Sequence, residues 1–296
     1  MNLCAKHFLK QINSMSFYTK LNSKLNSKLD DEQLKNLPHG YQIIGRILLI
    51  KLKPKLLKHK KIIGENILSL FPYIHTVCLI KEISSVERKP KVEIIAGCKK
   101  STQTLHKEHG CQFLLDVSKI MWSQGNKEER IRLVKLVKPK ETVVDMFAGI
   151  GYFSIFIAKY SSPRKIYTID INPEAIEYLR KNVWLNGVEN KIEILQGDCR
   201  KFANLLENIA DRIIMGYLFE TEKFLPYALK IAKNNAYVHL HRTVKQEEIE
   251  KIKKKIVEIG KKNKCKIKIL NANKVKSYAP KIWHVVFDLK VLKRRV

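Results

Sequence analysis

Apolar and polar positions alternate along this chain in two different ways, and the change falls near residue 110. Before that point, short strand-like runs surround one helical stretch. After it, strand-like runs and helical patterns succeed one another, which is typical of a parallel sheet. We predict a polar basic N-terminal segment (residues 1–36), a small α+β domain (residues 37–110) and a larger α/β domain (residues 111–296). The elements predicted for the small domain are strands at Tyr41–Leu52, His75–Ile80 and Lys91–Ala96 and a helix at Leu56–Leu70.

The larger domain contains four strand-like runs whose carboxyl ends should meet at one crevice. Parallel strands that are joined by helices place those ends at the same edge of a sheet. The four runs end at Asp145, Asp170, Leu195 and Gly216, and a helix is predicted at Lys201–Ile209. The remaining predicted elements are a strand at Ala236–Leu240, a helix at Glu247–Lys261 with its isoleucines in the core, and two last strands, Lys266–Leu270 and His284–Lys290, joined by a long connection.

The first of these strands runs into a turn that is rich in small residues. The stretch reads VVDMFAGIGYFS at Val143–Ser154, and its glycines are Gly149 and Gly151. Glycine permits backbone angles that other residues avoid and lets a ligand approach the main chain closely. The helix that follows offers unpaired N–H groups at its start. We therefore expect a nucleotide-like ligand at this turn.

Polar groups at the next two strand ends extend the predicted ligand site. Asp170 ends the run IYTID, where a carboxylate can accept hydrogen bonds from both ribose hydroxyls. Further along, we expect Asp198 near the exocyclic amine of an adenine and the Cys199 backbone near a ring nitrogen. A dinucleotide fingerprint needs a third glycine where this chain has Ser154. An adenosyl group without a pyrophosphate, as in S-adenosylmethionine, therefore fits better than NAD.

The charge of the chain favours a polyanionic partner. There are 57 basic and 28 acidic residues, which give a formal net charge of +29 and a pI near 9.8. A field of that sign attracts phosphates and supplies salt-sensitive affinity for nucleic acid. The alternative is a lysine-rich surface that reflects thermal stability or an A/T-rich genome, but a thermostable surface usually balances its acids and bases. A basic string in the small domain is expected to contact RNA as a group, although each of its lysines taken alone is interpreted as a solvated edge residue. The string consists of Lys51, Lys53, Lys55, Lys58, Lys60 and Lys61.

The N-terminal segment and the cysteines give weaker information. The tandem LNSK at Leu21–Lys28 is interpreted as low complexity in a frayed or partly helical stretch. Met1–Lys28 lacks acids, as a transit peptide does, but it contains no arginine. Since no apolar run approaches the roughly 20 residues that span a bilayer, we predict a cytoplasmic protein. No CxxC pair occurs, so neither a zinc site nor a disulfide framework is expected from the six cysteines, Cys4, Cys78, Cys98, Cys111, Cys199 and Cys265.

Several motifs together resemble one family of RNA enzymes. They are FLLDVSKIMWSQGNKEER at Phe113–Arg130, the FAGIGYFS turn, INPEA, Gly197–Asp198 and IMGYL at Ile214–Leu218. This combination resembles the archaeal tRNA-wybutosine aminocarboxypropyltransferases, from about Leu37 almost to the C-terminus. That family is related to the tRNA guanine-N1 methyltransferases, which modify the purine 3′ of the anticodon. The resemblance implies a class I methyltransferase-like (Rossmann-like) doubly wound sheet that ends in an antiparallel hairpin.

One short segment distinguishes the two branches. After the fourth strand the methylating branch carries an Asn-Pro-Pro or Asn-Leu-Pro motif that holds the target guanine. Here the corresponding segment, Met215–Leu218, reads MGYL and has no asparagine. The segment therefore favours the aminocarboxypropyl branch.

The resemblance also implies that the region of Ser123 and Arg130 borders the cofactor. Asn126 can cap a helix that carries Arg130, so we expect these two side chains to face the same side. A guanidinium suits the methionine carboxylate, and a surface ion pair of Arg130 with Glu128 or Glu129 is the alternative. The predicted cofactor-binding residues are Ser123, Arg130, Asp145, Gly149, Asp170, Asp198 and Cys199.

His239 and His241 alternate at the end of a predicted strand. Two histidines at this spacing can ligate a metal, but no third ligand is evident nearby. Relatives often read HYHE here, whereas this chain has Arg242 in the glutamate position, which weakens any transfer of a carboxylate role. We interpret both histidines as core-edge residues that border the cleft, and we predict no metal.

The reaction implied by the resemblance is transfer of the 3-amino-3-carboxypropyl group of S-adenosylmethionine to 4-demethylwyosine in tRNA-Phe, by a monomeric enzyme. The sulfonium has three electrophilic carbons, so the position of the acceptor decides which one reacts. Because the sulfonium is already a good leaving group, no catalytic base is assigned. Three alternatives stay open: a tRNA guanine-N1 methyltransferase, a noncatalytic tRNA-binding protein, and a dehydrogenase, which Ser154 and the charge disfavour.

Overall fold

The computed structural model describes residues 15–83, 90–98 and 101–293, so Cys4 and the first 14 residues of the predicted N-terminal segment lie outside it. The chain forms two compact units, each with its own hydrophobic core. The predicted domain limits after residues 36 and 110 stay predictions. The first unit comprises Met1–Glu108 and Leu114–Trp122, and the second comprises His109–Phe113 and Ser123–Val296.

The first unit begins with two short helices, α1 (Phe17–Leu25) and α2 (Asp31–Lys35). A capping box at Asp30 closes the start of α2. Leu21 and Leu25, the two leucines of the LNSK repeat, lie four residues apart on α1 and are fully buried. The prediction of a partly helical stretch is therefore confirmed, because this spacing places both leucines on one face of a helix that packs into the core.

A four-stranded sheet with the order β1-β2-β3-β4 forms the rest of this unit, together with a helix. The predicted strand Tyr41–Leu52 is in fact two antiparallel strands with Ile44 opposite Ile47. The prediction fails at Gly45, whose φ of 55° allows a tight turn inside an otherwise continuous apolar run. The elements are β1 (Gln42–Ile44), β2 (Ile47–Ile50), a 3-10 turn (Pro54–His59), α3 (Lys60–Leu70), β3 (Thr76–Ile83) and β4 (Pro90–Gly97). A separate two-stranded sheet contains β5 (Gln103–Glu108) and β6 (Cys111–Asp116).

The second unit contains a seven-stranded sheet with the order β12-β13-β11-β10-β7-β8-β9. Strands β11, β10, β7, β8 and β9 are parallel neighbours, and β12 and β13 form an antiparallel hairpin at one edge. This arrangement confirms the predicted methyltransferase-like sheet. Its strands are β7 (Thr142–Asp145), β8 (Lys165–Asp170), β9 (Ile192–Gln196), β10 (Ala210–Met215), β11 (Ala232–Lys245), β12 (Cys265–Ala279) and β13 (Ile282–Lys293). Its helices are α4 (Lys127–Leu136), α5 (Ser154–Tyr160), α6 (Pro173–Leu185), α7 (Cys199–Phe202), α8 (Leu225–Ile231) and α9 (Ile249–Lys262).

The strand order reverses between β7 and β10, because β8 and β9 continue on one side of β7 while β10 and β11 lie on the other. In open α/β sheets the crevice at such a switch point, beyond the carboxyl ends of the strands, is where ligands bind. The four strand ends that the sequence predicted to converge belong to β7, β8, β9 and β10, which are consecutive neighbours in the sheet.

Two elements differ from their predictions. The helix predicted at Lys201–Ile209 ends at Phe202, since the chain continues through turns to Asn208, where φ is 56°. The long connection predicted between the last two strands is strand instead. Strands β12 and β13 pair along almost their whole length and reverse at Pro280 and Lys281, where Lys281 has a φ of 62°. Alternation along β12 is weak because many of its residues are exposed, so its sequence resembles a loop.

Helix α9 confirms its predicted role. Ile252 and Ile256 are buried in the core, and Ile249 and Ile259 pack against it. Within the described part of the chain, no helix has the length and apolar character that crossing a bilayer requires.

Candidate active site

Asp145, at the end of β7, lies beneath the glycine-rich turn rather than open to solvent. Its side chain is fully buried and accepts a hydrogen bond from Ser154 Oγ at 2.6 Å and from the Phe147 N–H at 3.4 Å. Burial raises the pKa of Asp145 to about 7, against the opposing effect of these two donors. Ser154, which stands where a dinucleotide site has its third glycine, thus ties the start of α5 to the end of β7.

Gly149 and Asp170 are brought together as predicted from their strand ends. The Gly149 N–H donates to Asp170 Oδ2 at 2.7 Å, and the Asn172 N–H donates to Asp170 Oδ1 at 2.9 Å. Gly149 has a φ of 57°, and a Cβ there would lie 2.5 Å from Tyr152 Cε2. Burial raises the pKa of Asp170, which these N–H groups oppose. The turn therefore requires glycine, and it holds the carboxylate at the rim of the crevice.

Asp198 and Cys199 follow β9 and begin the short helix α7. Asp198 Oδ1 caps this helix by accepting from the Arg200 N–H at 2.9 Å, and the Arg200 Nε lies 2.9 Å from Asp198 Oδ2. The Arg200 guanidinium lowers the pKa of Asp198. Cys199 is buried, and burial raises the pKa of its thiol to about 12. Sequence reasoning missed Arg200, although its position two residues after a capping aspartate was a usable signal.

Arg130 contacts the backbone of Ser123, and whether the two side chains face the cofactor together stays a prediction. Arg130 Nη2 donates to the Ser123 carbonyl at 2.9 Å, and the guanidinium lies 6.0 Å from the Tyr152 and Phe156 ring centroids. Arg130 is only 1% exposed, so the alternative of a surface ion pair is wrong. Lys276 on β12 donates to Ser123 Oγ at 2.6 Å, which no local pattern indicated.

A buried ion cluster fixes helix α4, which carries Arg130, to the far strand β13. Arg132 donates to both oxygens of Glu129 at 2.7 and 2.8 Å and to both oxygens of Asp288 at 2.8 and 3.0 Å. Glu129 is 3% exposed, and burial raises its pKa. The planar guanidinium is suited to two such bidentate contacts. The cluster therefore sets the position of α4 against the sheet.

His239 joins this cluster to a second buried arginine. His239 Nε2 lies 2.7 Å from Arg212 Nη1, and His239 Nδ1 lies 2.6 Å from Asp288 Oδ1. An arginine can only donate, so Nε2 accepts and Nδ1 carries the proton that is donated to Asp288. Burial lowers the pKa of His239. The ring is therefore neutral and has both nitrogens occupied.

His241 lies against the glycine-rich turn. Its ring centroid is 5.2 Å from that of Phe153, and its Nδ1 is 3.0 Å from His284 Nε2. Burial holds the pKa of His241 well below 6.5. Across residues 15–83, 90–98 and 101–293, no group of three or more His, Cys, Asp or Glu side chains is arranged to hold a metal ion.

The segment after β10 presents aromatic rings instead of an amide side chain. Tyr217 stacks on Phe147 with ring centroids 5.4 Å apart, and Phe224 meets Phe147 edge-on at 5.1 Å. Phe219 contacts Tyr217 at 5.9 Å and Tyr278 at 6.2 Å. Phe147 lies two residues after the end of β7, so these rings continue from the glycine-rich turn along the same edge of the sheet.

The basic string of the first unit is largely exposed but partly paired. Lys55 lies 2.5 Å from Glu32, with both side chains about 70% exposed, and Lys60 lies 2.6 Å from Glu93. Lys53 donates to Asn36 Oδ1 at 2.9 Å. Exposed pairs of this kind contribute little to stability, so these lysines remain available to a polyanion.

Two protein-family profiles match most of the chain. The TRM5/TYW2 methyltransferase domain matches residues 104–268, and the TYW2 N-terminal domain matches residues 21–101.

Individual relatives match over most of their length. The chain is 41% identical to a tRNA(Phe) (4-demethylwyosine(37)-C(7)) aminocarboxypropyltransferase from Pyrococcus horikoshii, over 91% of this chain and 95% of the relative. It is 33% identical to the tRNA (guanine(37)-N(1))-methyltransferase Trm5b of Pyrococcus abyssi, over 86% and 76%. The crystal structure of P. horikoshii TYW2 in complex with MeSAdo superimposes with a TM-score of 0.82 at 38% identity, covering 94% of this chain and 100% of that one.

Proposed function

The chain belongs to the TRM5/TYW2 methyltransferase family, and from this membership we propose its reaction. It transfers the 3-amino-3-carboxypropyl group of S-adenosylmethionine to C7 of 4-demethylwyosine in tRNA-Phe. The observation that carries this assignment is the 41% identity, over nearly the whole length of both chains, to an enzyme of that activity. The MeSAdo in the related structure is the by-product that this transfer leaves, whereas methyl transfer would leave S-adenosylhomocysteine.

A local feature agrees with this choice between the two branches. Where the methylating branch holds its guanine with an asparagine, Gly216 and Tyr217 follow β10, and Tyr217 stacks on Phe147. A Cβ at Gly216 would lie 3.1 Å from Phe153, so the backbone there passes close to the glycine-rich turn. An aromatic surface suits a tricyclic base, which offers more stacking area than guanine.

The residues of the crevice fit the adenosyl part of the cofactor. Asp170 is held by two backbone N–H groups and keeps lone pairs for the ribose hydroxyls. Gly149 leaves the main chain open to close approach, and Cys199 lies at the start of α7, where the adenine would lie. Asp145 contributes to cofactor binding through the glycine-rich turn, which it stabilises. Ser123 and Arg130 are assigned to the methionine end of the cofactor, with Arg130 also holding the Ser123 backbone.

When bound, S-adenosylmethionine supplies an electrophilic carbon and a leaving group that needs no acid. The chain therefore has to orient two reactants and exclude water. The Arg132 cluster and Ser154 fix the elements around the methionine end of the cofactor. The rings of Phe147, Tyr217 and Phe224 cover the opposite side of the crevice. No side chain is assigned as a base.

The partner is tRNA, and phosphate attraction by the surplus of basic residues supports its binding. We propose that the small domain of residues 37–110 contacts tRNA through the basic string, that the enzyme is a monomer, and that it acts in the cytoplasm, where tRNA is modified. Light scattering measures the molar mass of the protein with and without tRNA and so tests whether it is a monomer.

Two labelled cofactors test the reaction. The purified protein is incubated with S-adenosylmethionine labelled at the carboxyl carbon or at the methyl group, and with tRNA-Phe that either carries 4-demethylwyosine or is unmodified. The carboxyl label should enter only the tRNA that carries the precursor, and methylthioadenosine should appear in equal amount. Methyl label entering unmodified tRNA as the main product would instead assign the methyltransferase activity.

A further inference from the structure

Glu222 is a carboxylate buried directly behind the aromatic segment that follows β10. Its side chain is 0% exposed, and it is paired with two cations from different elements. Arg242 on β11 donates to Glu222 Oε2, and Lys255 on α9 lies 2.9 Å from Glu222 Oε1. The side chains of Arg242 and Lys255 are 16% and 48% exposed, so the charge of Glu222 is compensated from the side of the solvent.

This ion triad anchors the segment from Gly216 to Phe224, which we call the acceptor loop. The Leu218 carbonyl accepts from the Thr243 N–H at 2.9 Å and from Thr243 Oγ1 at 3.0 Å. The Thr221 hydroxyl donates to the Tyr217 carbonyl. The loop is thus tied to other elements at Leu218 and at Glu222, and of these two points Glu222 is the one nearer to Phe224.

Stability alone is a poor reason to bury this carboxylate. Replacing a buried ion pair by apolar residues of similar volume is often neutral or stabilising, whereas a paired charge specifies one arrangement. The arrangement specified here seats Phe224 edge-on against Phe147 and 6.1 Å from Tyr217.

We propose that Glu222, Arg242 and Lys255 are positioning residues that hold the acceptor loop closed over the reacting carbon, so that the tRNA base reaches it and water does not. This inference rests on the proposed function. In the productive step, the acceptor carbon bonds to the γ-carbon of the methionine chain, the C–S bond breaks with its electron pair going to sulfur, and the acceptor carbon releases its proton to solvent. In the unproductive step, water bonds to the same γ-carbon, the same C–S bond breaks, and the water proton goes to solvent.

Both steps release methylthioadenosine, but only the first modifies tRNA. The ratio of methylthioadenosine released to aminocarboxypropyl groups transferred therefore reports closure of the loop. Once the methylthioadenosine that S-adenosylmethionine releases without enzyme is subtracted, this ratio does not depend on the fraction of protein that is folded, because unfolded molecules contribute to neither product. A purely structural role of the triad would lower both products equally and leave the ratio unchanged.

The test compares Glu222→Gln with wild type, with Glu250→Gln as the matched control. Glu250 forms an exposed pair with Lys253 on α9, the helix that carries Lys255. For Glu222→Gln, the ratio should rise from near one to about five or more, and kcat/KM for the precursor tRNA should fall by about 10- to 100-fold. The affinity for S-adenosylmethionine, measured by calorimetry, should stay within about twofold, since none of the predicted cofactor-binding residues belongs to the acceptor loop. Glu250→Gln should match wild type in all three quantities.

Arg242→Gln provides a second variant in case Glu222→Gln is poorly folded. It leaves Lys255 to compensate Glu222, so the ratio should rise in the same direction but less. The double variant should be no worse than Glu222→Gln alone, because the two residues act as one pair. A ratio near one in both single variants, with wild type active, would overturn the proposal. Methyl transfer by the wild type would instead refute the proposed function, which the same assay detects separately.

Discussion

The buried carboxylate beneath the glycine-rich turn makes the stability of the second unit depend on pH in a defined way. Asp145 is fully buried, and its pKa is raised from 3.8 to about 7. Between these two values the folded protein keeps a proton that the unfolded chain has released. The free energy of unfolding must therefore fall as pH rises from about 4 to 7, by the linkage relation. Well above about pH 7 the folded protein has released this proton too, so Asp145 lowers the free energy of unfolding no further.

Asp145→Asn removes this titration while keeping an oxygen that can accept from Ser154. At about 1.4 kcal/mol for each pKa unit, the cost to wild type is about 2 kcal/mol at pH 5 and about 4 kcal/mol at pH 8. Wild type should therefore lose about 2–3 kcal/mol relative to the variant between these pH values. The variant also places an amide NH2 group near the Phe147 N–H, which lowers its free energy of unfolding by the same amount at every pH. This cost therefore cancels when the two pH values are compared.

Urea unfolding of both proteins at half-unit steps from pH 5 to 8, followed by tryptophan fluorescence, measures the difference. Titrations elsewhere in the chain affect both proteins alike and cancel, provided that their urea m-values agree. Two stability profiles that run parallel across this range would show that Asp145 does not titrate there, and the argument from burial would fail. A difference that grows in the opposite direction would mean that the Ser154 and Phe147 donors outweigh burial.

Three further predictions follow from the site and the surface. Asp170→Ala should weaken S-adenosylmethionine binding by about 1–3 kcal/mol in calorimetry, and unchanged affinity in a folded variant would remove Asp170 from the site. The affinity for tRNA should fall linearly with the logarithm of salt concentration, and a flat response would contradict phosphate-dominated binding. Iodoacetamide at pH 7.5 should alkylate the exposed Cys98 well before Cys78 and Cys199, because burial raises the pKa of both buried thiols to about 12; equal labelling by peptide mapping would contradict this.

Local sequence patterns were enough to predict the parallel sheet and the place of the crevice. The run into Asp145, the glycine turn and the run into Asp170 each depend on residues that are close in the chain, and the structure brings Gly149 and Asp170 within 2.7 Å. Helix α6 likewise buries Leu179 and Val183, which lie four residues apart on one face. Hydrophobic periodicity and turn-forming residues act over a few positions, so a single sequence is enough to recognise them.

Only the tertiary structure decided which polar groups are paired. Arg132 binds Asp288 although 156 residues separate them, and Lys276 reaches Ser123 across 153 residues. Burial also places Asp145 beneath the turn, with Ser154 and the Phe147 N–H as its partners, and its contact with the cofactor stays a prediction. Side chains such as these meet because packed elements place them together, and ion pairs leave no period in the chain. The sequence by itself therefore determined most of the elements and the place of the crevice, while the partners of its buried charges were decided by packing.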